Sequence, residues 1–137
     1  MKYALLIILL LFTFTLQSQT LAYKNRICLA ILEHESYFGK YLVNQNDTAS
    51  KGLFQMREIY VREVNKICGY NKFKPEDRFD FKKSVAMFFI FNNYHYPNWD
   101  YKTISIVHAC GHYTENKKAL EYWDAIQKIL EHGESKN

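Results

Sequence analysis

From residue 25 onward, apolar positions recur every three or four residues, the spacing of helices with one buried face. Ile27, Cys28, Ala30, Ile31 and Leu32 mark the first, expected over 25–37 with Asn25 as its cap and Gly39 beyond its end. Residues 39–50 read as a polar loop around Asn44-Gln45-Asn46-Asp47. Tyr60, Val64, Ile67 and Cys68 share one side of a second helix, 58–68, stopped by Gly69, and Pro75-Glu76-Asp77 reads as a short helical turn. Asp80 caps a longer segment with Phe81, Val85, Phe88, Phe89 and Asn92 on a common side, interrupted by Pro97. A further helix follows Asp100 and ends near Gly111. Thr114 is the expected cap of the last one, whose stripe is Ala119, Tyr122, Trp123, Ile126, Ile129 and Leu130. Strand signals are weak, so the expected class is mainly α, with at most a minor β-hairpin. No repeat or linker divides the chain, so one domain is expected.

The first 22 residues follow a different pattern. A short positive start at Lys2 leads into an apolar run at 4–16, then Gln17-Ser18-Gln19, then Thr20-Leu21-Ala22 with small residues three apart. This is the layout of a secretory signal peptide, and the run is short for a bilayer span. The expectation is a signal at 1–22, a mature domain at 23–137, export to the periplasm or medium, and no stable membrane insertion after cleavage. An uncleaved anchor is the alternative.

Composition adds a little. The formal charge of +4 over 137 residues loses one unit with Lys2. That excess suits an anionic wall polymer and is too weak and scattered to argue for nucleic acid. Cys28, Cys68 and Cys110 allow one disulfide in an oxidising compartment, in any of three pairings, or three packed thiols.

Among possible acids, Glu35 stands out. It lies four positions after Ile31 and seven after Cys28, on the core-bearing face, in the last turn of its helix where the dipole disfavours negative charge. Such a setting suits a general acid. Glu33 reads as a surface neighbour. Glu35-Ser36, followed by Ser50-Lys51-Gly52-Leu53-Phe54-Gln55, resembles the first two motifs of the lytic transglycosylase family related to goose-type lysozyme. Ile104 to Gly111, with Tyr122-Trp123 on the last helix, is similar to a segment of invertebrate-type lysozymes and lysozyme-like phage proteins. There the segment reads Ile-His-Asn-Gly-Gly-Pro; here Ala109-Cys110 replace Asn-Gly and His112 replaces Pro.

The resemblance implies a lysozyme-like domain with a cleft between helices that cuts peptidoglycan at the MurNAc–GlcNAc β-1,4 bond. Glu35 is then the acid and base, and Ser36, Ser50, Gln55, His108 and Tyr122 are substrate-binding candidates. Gly52 lets backbone approach the sugar, and the Gln55 amide can both donate to and accept from an N-acetyl group. A catalytically weak or inactive wall-binding protein is the alternative, motivated by Ala109-Cys110.

Asp47 is the best-placed second carboxylate, though it reads first as a loop residue. Retaining glycosidases hold their two carboxyls about 5 to 5.5 Å apart and inverting ones about 6.5 to 9.5 Å. The transglycosylase resemblance implies no second carboxylate at all, because the substrate's acetamido group attacks instead. His108, Cys110 and His112 raise zinc, but on a helix Cys110 points away from the two histidines, so neither metal nor cofactor is expected. Eleven Tyr, ten Phe and two Trp are plentiful for sugar stacking. Tyr37, Tyr94, Tyr96 and Tyr113 fall in or near loops, with no subsite assigned to any. The expected partner is peptidoglycan and the expected state a monomer.

Overall fold

The computed structural model describes residues 2–134; Met1, at the positive start, lies outside them. Five α-helices follow in order: α1 (Lys2–Ser36), α2 (Glu58–Cys68), α3 (Phe81–His95), α4 (Tyr101–Cys110) and α5 (Lys117–Glu134), with a 3-10 turn at Pro75–Phe79 before α3. Two isolated bridges, Val43 with Lys51 and Lys51 with Met56, are the only β pairing among the described residues. The fold is mainly α.

α1 differs from its expected form. Asn25 is no cap, because the helix runs unbroken from Lys2 through the apolar stretch. Nothing at 17–25 breaks a helix, since neither Gly nor Pro occurs there. The two halves of α1 differ in burial. Every described side chain up to Tyr23 is exposed, whereas Ile27, Cys28, Ala30, Ile31 and Leu32 are all buried. Contacts with the body begin at the junction. The Tyr23 ring stacks on Tyr101 at 4.3 Å. Lys24 Nζ donates to Asn93 Oδ1 at 2.8 Å and lies over the buried Trp99 ring, whose Nε1 donates to the same oxygen at 3.0 Å. No helix among the described residues is long and apolar enough to cross a membrane.

The C-terminal half of α1 forms the centre of the core. Phe54, Val61, Val64, Met87, Phe88, Trp99, Ile104 and Ile126 close around its buried face. α5 packs against both α1 and α4, and α2 packs against α3. The helix ends are specified locally. Asp80 accepts from Lys83 N and Asp100 from Thr103 N, while Gly69 and Gly111 end α2 and α4 in the left-handed conformation. At α5 the capping oxygen is Asn116 Oδ1, bonded to Ala119 N at 2.9 Å, and not Thr114, which lies too far before the first turn. Phe81, expected inside, is exposed at the first position of α3.

The three cysteines are free, with Cys28 buried and Cys68 and Cys110 half-buried. Of the two alternatives, a disulfide or packed thiols, the structure has the thiols. Cys28 is a packing residue of α1, and burial pushes its thiol up to about 12.

Candidate active site

Glu35 sits one residue before the end of α1, with 16% of its side chain exposed. The same periodicity that buries Ile27 and Ile31 turns it toward α4 and α5. Tyr122, on α5, donates its hydroxyl to Glu35 Oε1 at 2.5 Å. Burial and then the facing carboxylate hold the Tyr122 phenol well above its usual range, so it stays a proton donor to Glu35. The Tyr122 ring is set edge-on against His34 at 4.7 Å, one residue before Glu35.

His108, on α4, completes the setting. Its Nε2 lies 2.8 Å from the Phe54 carbonyl oxygen and 3.6 Å from Glu35 Oε1. A carbonyl only accepts, so Nε2 carries the hydrogen. The imidazole is almost wholly buried and touches the rings of Phe54, Tyr60 and Phe88. Glu35 Oε1 thus takes one hydrogen bond, from Tyr122, and lies beside the His108 imidazole, whose Nε2 hydrogen goes to Phe54 O. Oε2 has no hydrogen-bond partner among the described residues. The carboxyl is oriented through one oxygen, and the other is unclaimed among the described residues.

The remaining candidates are placed differently. Ser36 is buried; its hydroxyl donates to Leu32 O and accepts from Gly39 N, tying off the end of α1. Ser50 donates to Asp47 Oδ2 at 2.7 Å. Asp47 also takes Arg57 Nη2 at 2.8 Å and Ala49 N at 3.1 Å. The Ser50 hydrogen bond first, and Arg57 next, lower its carboxyl to about 2. Asp47 is the clasp of the 44–50 loop, with both oxygens committed to that loop and to Arg57.

Gln55 holds its backbone at φ 49, and Nε2 donates to Tyr41 O and Gly52 O. Both partners are carbonyls, so the donor half of the amide faces inward. Oε1 is buried with no partner among the described residues, as is the Tyr60 hydroxyl. With Nε2 spent on backbone and Oε1 buried, neither half of this amide is turned outward for the expected two-way contact with a substrate.

Gly52 serves packing instead of sugar approach. Its φ is +83, and a Cβ there would lie 2.1 Å from the Arg78 carbonyl oxygen. That oxygen accepts from Leu53 N at 3.0 Å and from Ser84 Oγ at 2.7 Å. Arg78 gives no signal in the sequence. Its buried guanidinium donates to Met56 O at 2.9 Å, Ala49 O at 3.4 Å and Pro75 O at 2.6 Å, joining both ends of the 49–56 segment to the 3-10 turn. An isolated arginine among polar neighbours leaves no periodic trace. The backbone oxygen of Phe54 likewise carries no side-chain signal.

His112 is exposed, while His108 is committed to the Phe54 carbonyl. The described residues contain no group of three potential metal ligands. A concavity of about 490 Å³ at the end of α2, lined by Arg62, Asn65, Lys66, Gly69, Tyr70 and Asn71, includes none of the residues around Glu35.

No protein-family model matches the chain, no curated protein matches it, and no solved structure matches it.

Proposed function

We propose that the chain is an exported enzyme that cleaves peptidoglycan glycan strands at the MurNAc–GlcNAc β-1,4 bond, as a lytic transglycosylase or lysozyme. The observation that carries this reading is the half-buried Glu35 carboxyl, oriented by Tyr122 through Oε1 beside the His108 imidazole, with no partner for Oε2 among the described residues. A general acid needs that arrangement: a fixed carboxyl with one oxygen free to reach the leaving group. Glu35 gives its proton to the glycosidic oxygen as the C1–O4 bond breaks. The resulting carboxylate then takes a proton from the incoming nucleophile, either water or the sugar's own 6-hydroxyl.

Asp47 is poorly disposed to attack carbon, with its oxygens held by Ser50, Arg57 and Ala49. The substrate acetamido oxygen then bonds C1 as the C1–O4 bond breaks, and water or the 6-hydroxyl displaces it from C1. Incubating the purified chain with peptidoglycan and weighing the products tests both points. Anhydro ends identify the transglycosylase, reducing ends the lysozyme, and no released muropeptides overturn the proposal.

A second reading, a wall-binding protein without catalysis, draws on the inward hydrogen bonds of Ser36, Ser50 and Gln55. Under that reading, sedimentation with insoluble peptidoglycan is unchanged by Glu35→Gln, and no muropeptides appear with either protein.

A further inference from the structure

The segment after α1 exposes three aromatic rings within five residues: Tyr37 at 58%, Phe38 at 53% and Tyr41 at 59%. Exposure on this scale ordinarily accompanies a loose loop, but this backbone is pinned along its length. Tyr37 N and Tyr41 N donate to Glu33 O and Ser36 O, both at 2.9 Å, and Gly39 N donates to Ser36 Oγ at 2.9 Å. From the other side, Gln55 Nε2 reaches Tyr41 O and Gly52 N reaches Leu42 O. Tyr37 and Phe38 also adopt φ 50 and 56 in succession, a region that residues with side chains rarely enter. A strained backbone held this firmly, carrying large rings outward, is a feature to be read for function.

The rings are disposed to receive something flat. Tyr37 and Phe38 lie 6.4 Å apart, tilted by 54°, so they do not cover each other's faces. Lys40 Nζ lies 5.7 Å from the Tyr37 ring centre and 5.3 Å from that of Tyr41. It has no carboxylate partner among the described residues. Aromatic faces accept the C–H face of a pyranose, and an unpaired ammonium between them selects a sugar bearing a carboxylate. The platform begins two residues after Glu35, and its backbone is tied to the helical turn that carries it.

We infer that Tyr37, Phe38, Lys40 and Tyr41 form a saccharide subsite that takes an acidic N-acetylhexosamine, its carboxylate on Lys40 and its ring on the aromatic faces. This rests on the glycan-cleaving reading and adds to it the residues that grip the acidic sugar. An adjacent cation and aromatics also suit an anionic membrane. The tilted, separately exposed ring faces and the pinned backbone favour the sugar.

The test uses the full chain carrying Glu35→Gln, so that bound sugar is not consumed. Calorimetry compares the tetrasaccharide (GlcNAc–MurNAc)₂, with free lactyl carboxylates, against neutral chitotetraose. Tyr37→Ala with Phe38→Ala is expected to weaken both sugars at least about fivefold, as for aromatic anchors elsewhere. Lys40→Gln, at an exposed position that leaves the fold alone, is expected to weaken only the acidic sugar, by about two- to fivefold, and to reduce its salt dependence. No sugar binding by the parent overturns the inference, as does equal binding by parent and loop variants. Loop-dependent binding to phosphatidylglycerol vesicles with sugar affinity unchanged also overturns it. Cleavage is read separately on the chain with Glu35 intact. Cleavage that is indifferent to the loop variants sinks this subsite and leaves the catalytic reading standing. Loop-dependent sugar binding without cleavage does the reverse.

Discussion

Replacing Glu35 by Gln keeps the side chain's volume and its acceptor for Tyr122, and removes the proton that would be transferred. Muropeptide release should therefore fall by about 10² to 10⁴-fold with an unchanged melting temperature. Retained release in folded protein would mean the acid lies elsewhere. Tyr122→Phe leaves the ring against His34 and deletes only the hydroxyl at 2.5 Å from Oε1. A hydrogen bond contributes about 0.5–1.5 kcal/mol net, so losing the donor that orients Oε1 should lower kcat by up to about tenfold while KM changes little. Asp47 makes a prediction of another kind, in pH. Its folded carboxyl lies below the ordinary value, at about 2, so the clasp stabilises the fold when ionised. That contribution is complete above about pH 4, where the unfolded group has ionised, and is lost as pH falls toward the folded value. Melting curves should show Asp47→Asn below the wild type at pH 6, the gap closing between pH 4 and 2. A gap that persists at pH 2 would show that the ionised clasp is not the stabilising feature.

At the scale of elements, two glycines with nearly the same φ separate strain from collision. Gly69 stands at φ +79 with nothing within 4 Å of where a Cβ would sit, whereas Gly52 at φ +83 faces the Arg78 carbonyl at 2.1 Å. Gly69→Ala should cost only the left-handed penalty, about 1–2 kcal/mol. Gly52→Ala adds a backbone collision that no rotamer relieves, and chemical denaturation should show a loss of at least about 3 kcal/mol. Equal losses would mean that the loop yields easily to Arg78. Such placement is hidden from a linear reading. The span of α2 and the caps at Asp80, Asp100, Gly69 and Gly111 were legible because each rests on neighbours in sequence. Asn116 displaced Thr114 because both are competent caps and only the position of the first turn decides. Glu35 was legible through its offset from Ile31. The partners of Ser36, Ser50 and Gln55 were not, because their hydroxyls and amide are spent on backbone and loop atoms whose approach depends on the folded chain.

Across the whole molecule, burial starts after Tyr23, and every described side chain before it lengthens α1 without entering the core. A chain beginning at Tyr23 should melt within about 2 °C of the full one, followed by circular dichroism, and lose the exposed apolar run at Leu6, Ile7, Ile8, Leu10 and Leu11. A collapse of the melting temperature would assign that half of α1 a structural part that its exposure does not suggest. The shortened chain would keep the Tyr23–Tyr101 stack and the Lys24–Asn93–Trp99 contact at its new end. The grouping around Glu35 has a consequence in time. Its oxygen is held by Tyr122 and flanked by His108, which the ribosome delivers only after more than three quarters of the chain has been made. An emerging or prematurely terminated polypeptide carries the carboxyl without its holders. Under the proposed activity, cleavage is thereby postponed until α5 has docked, a delay that requires no separate inhibitor.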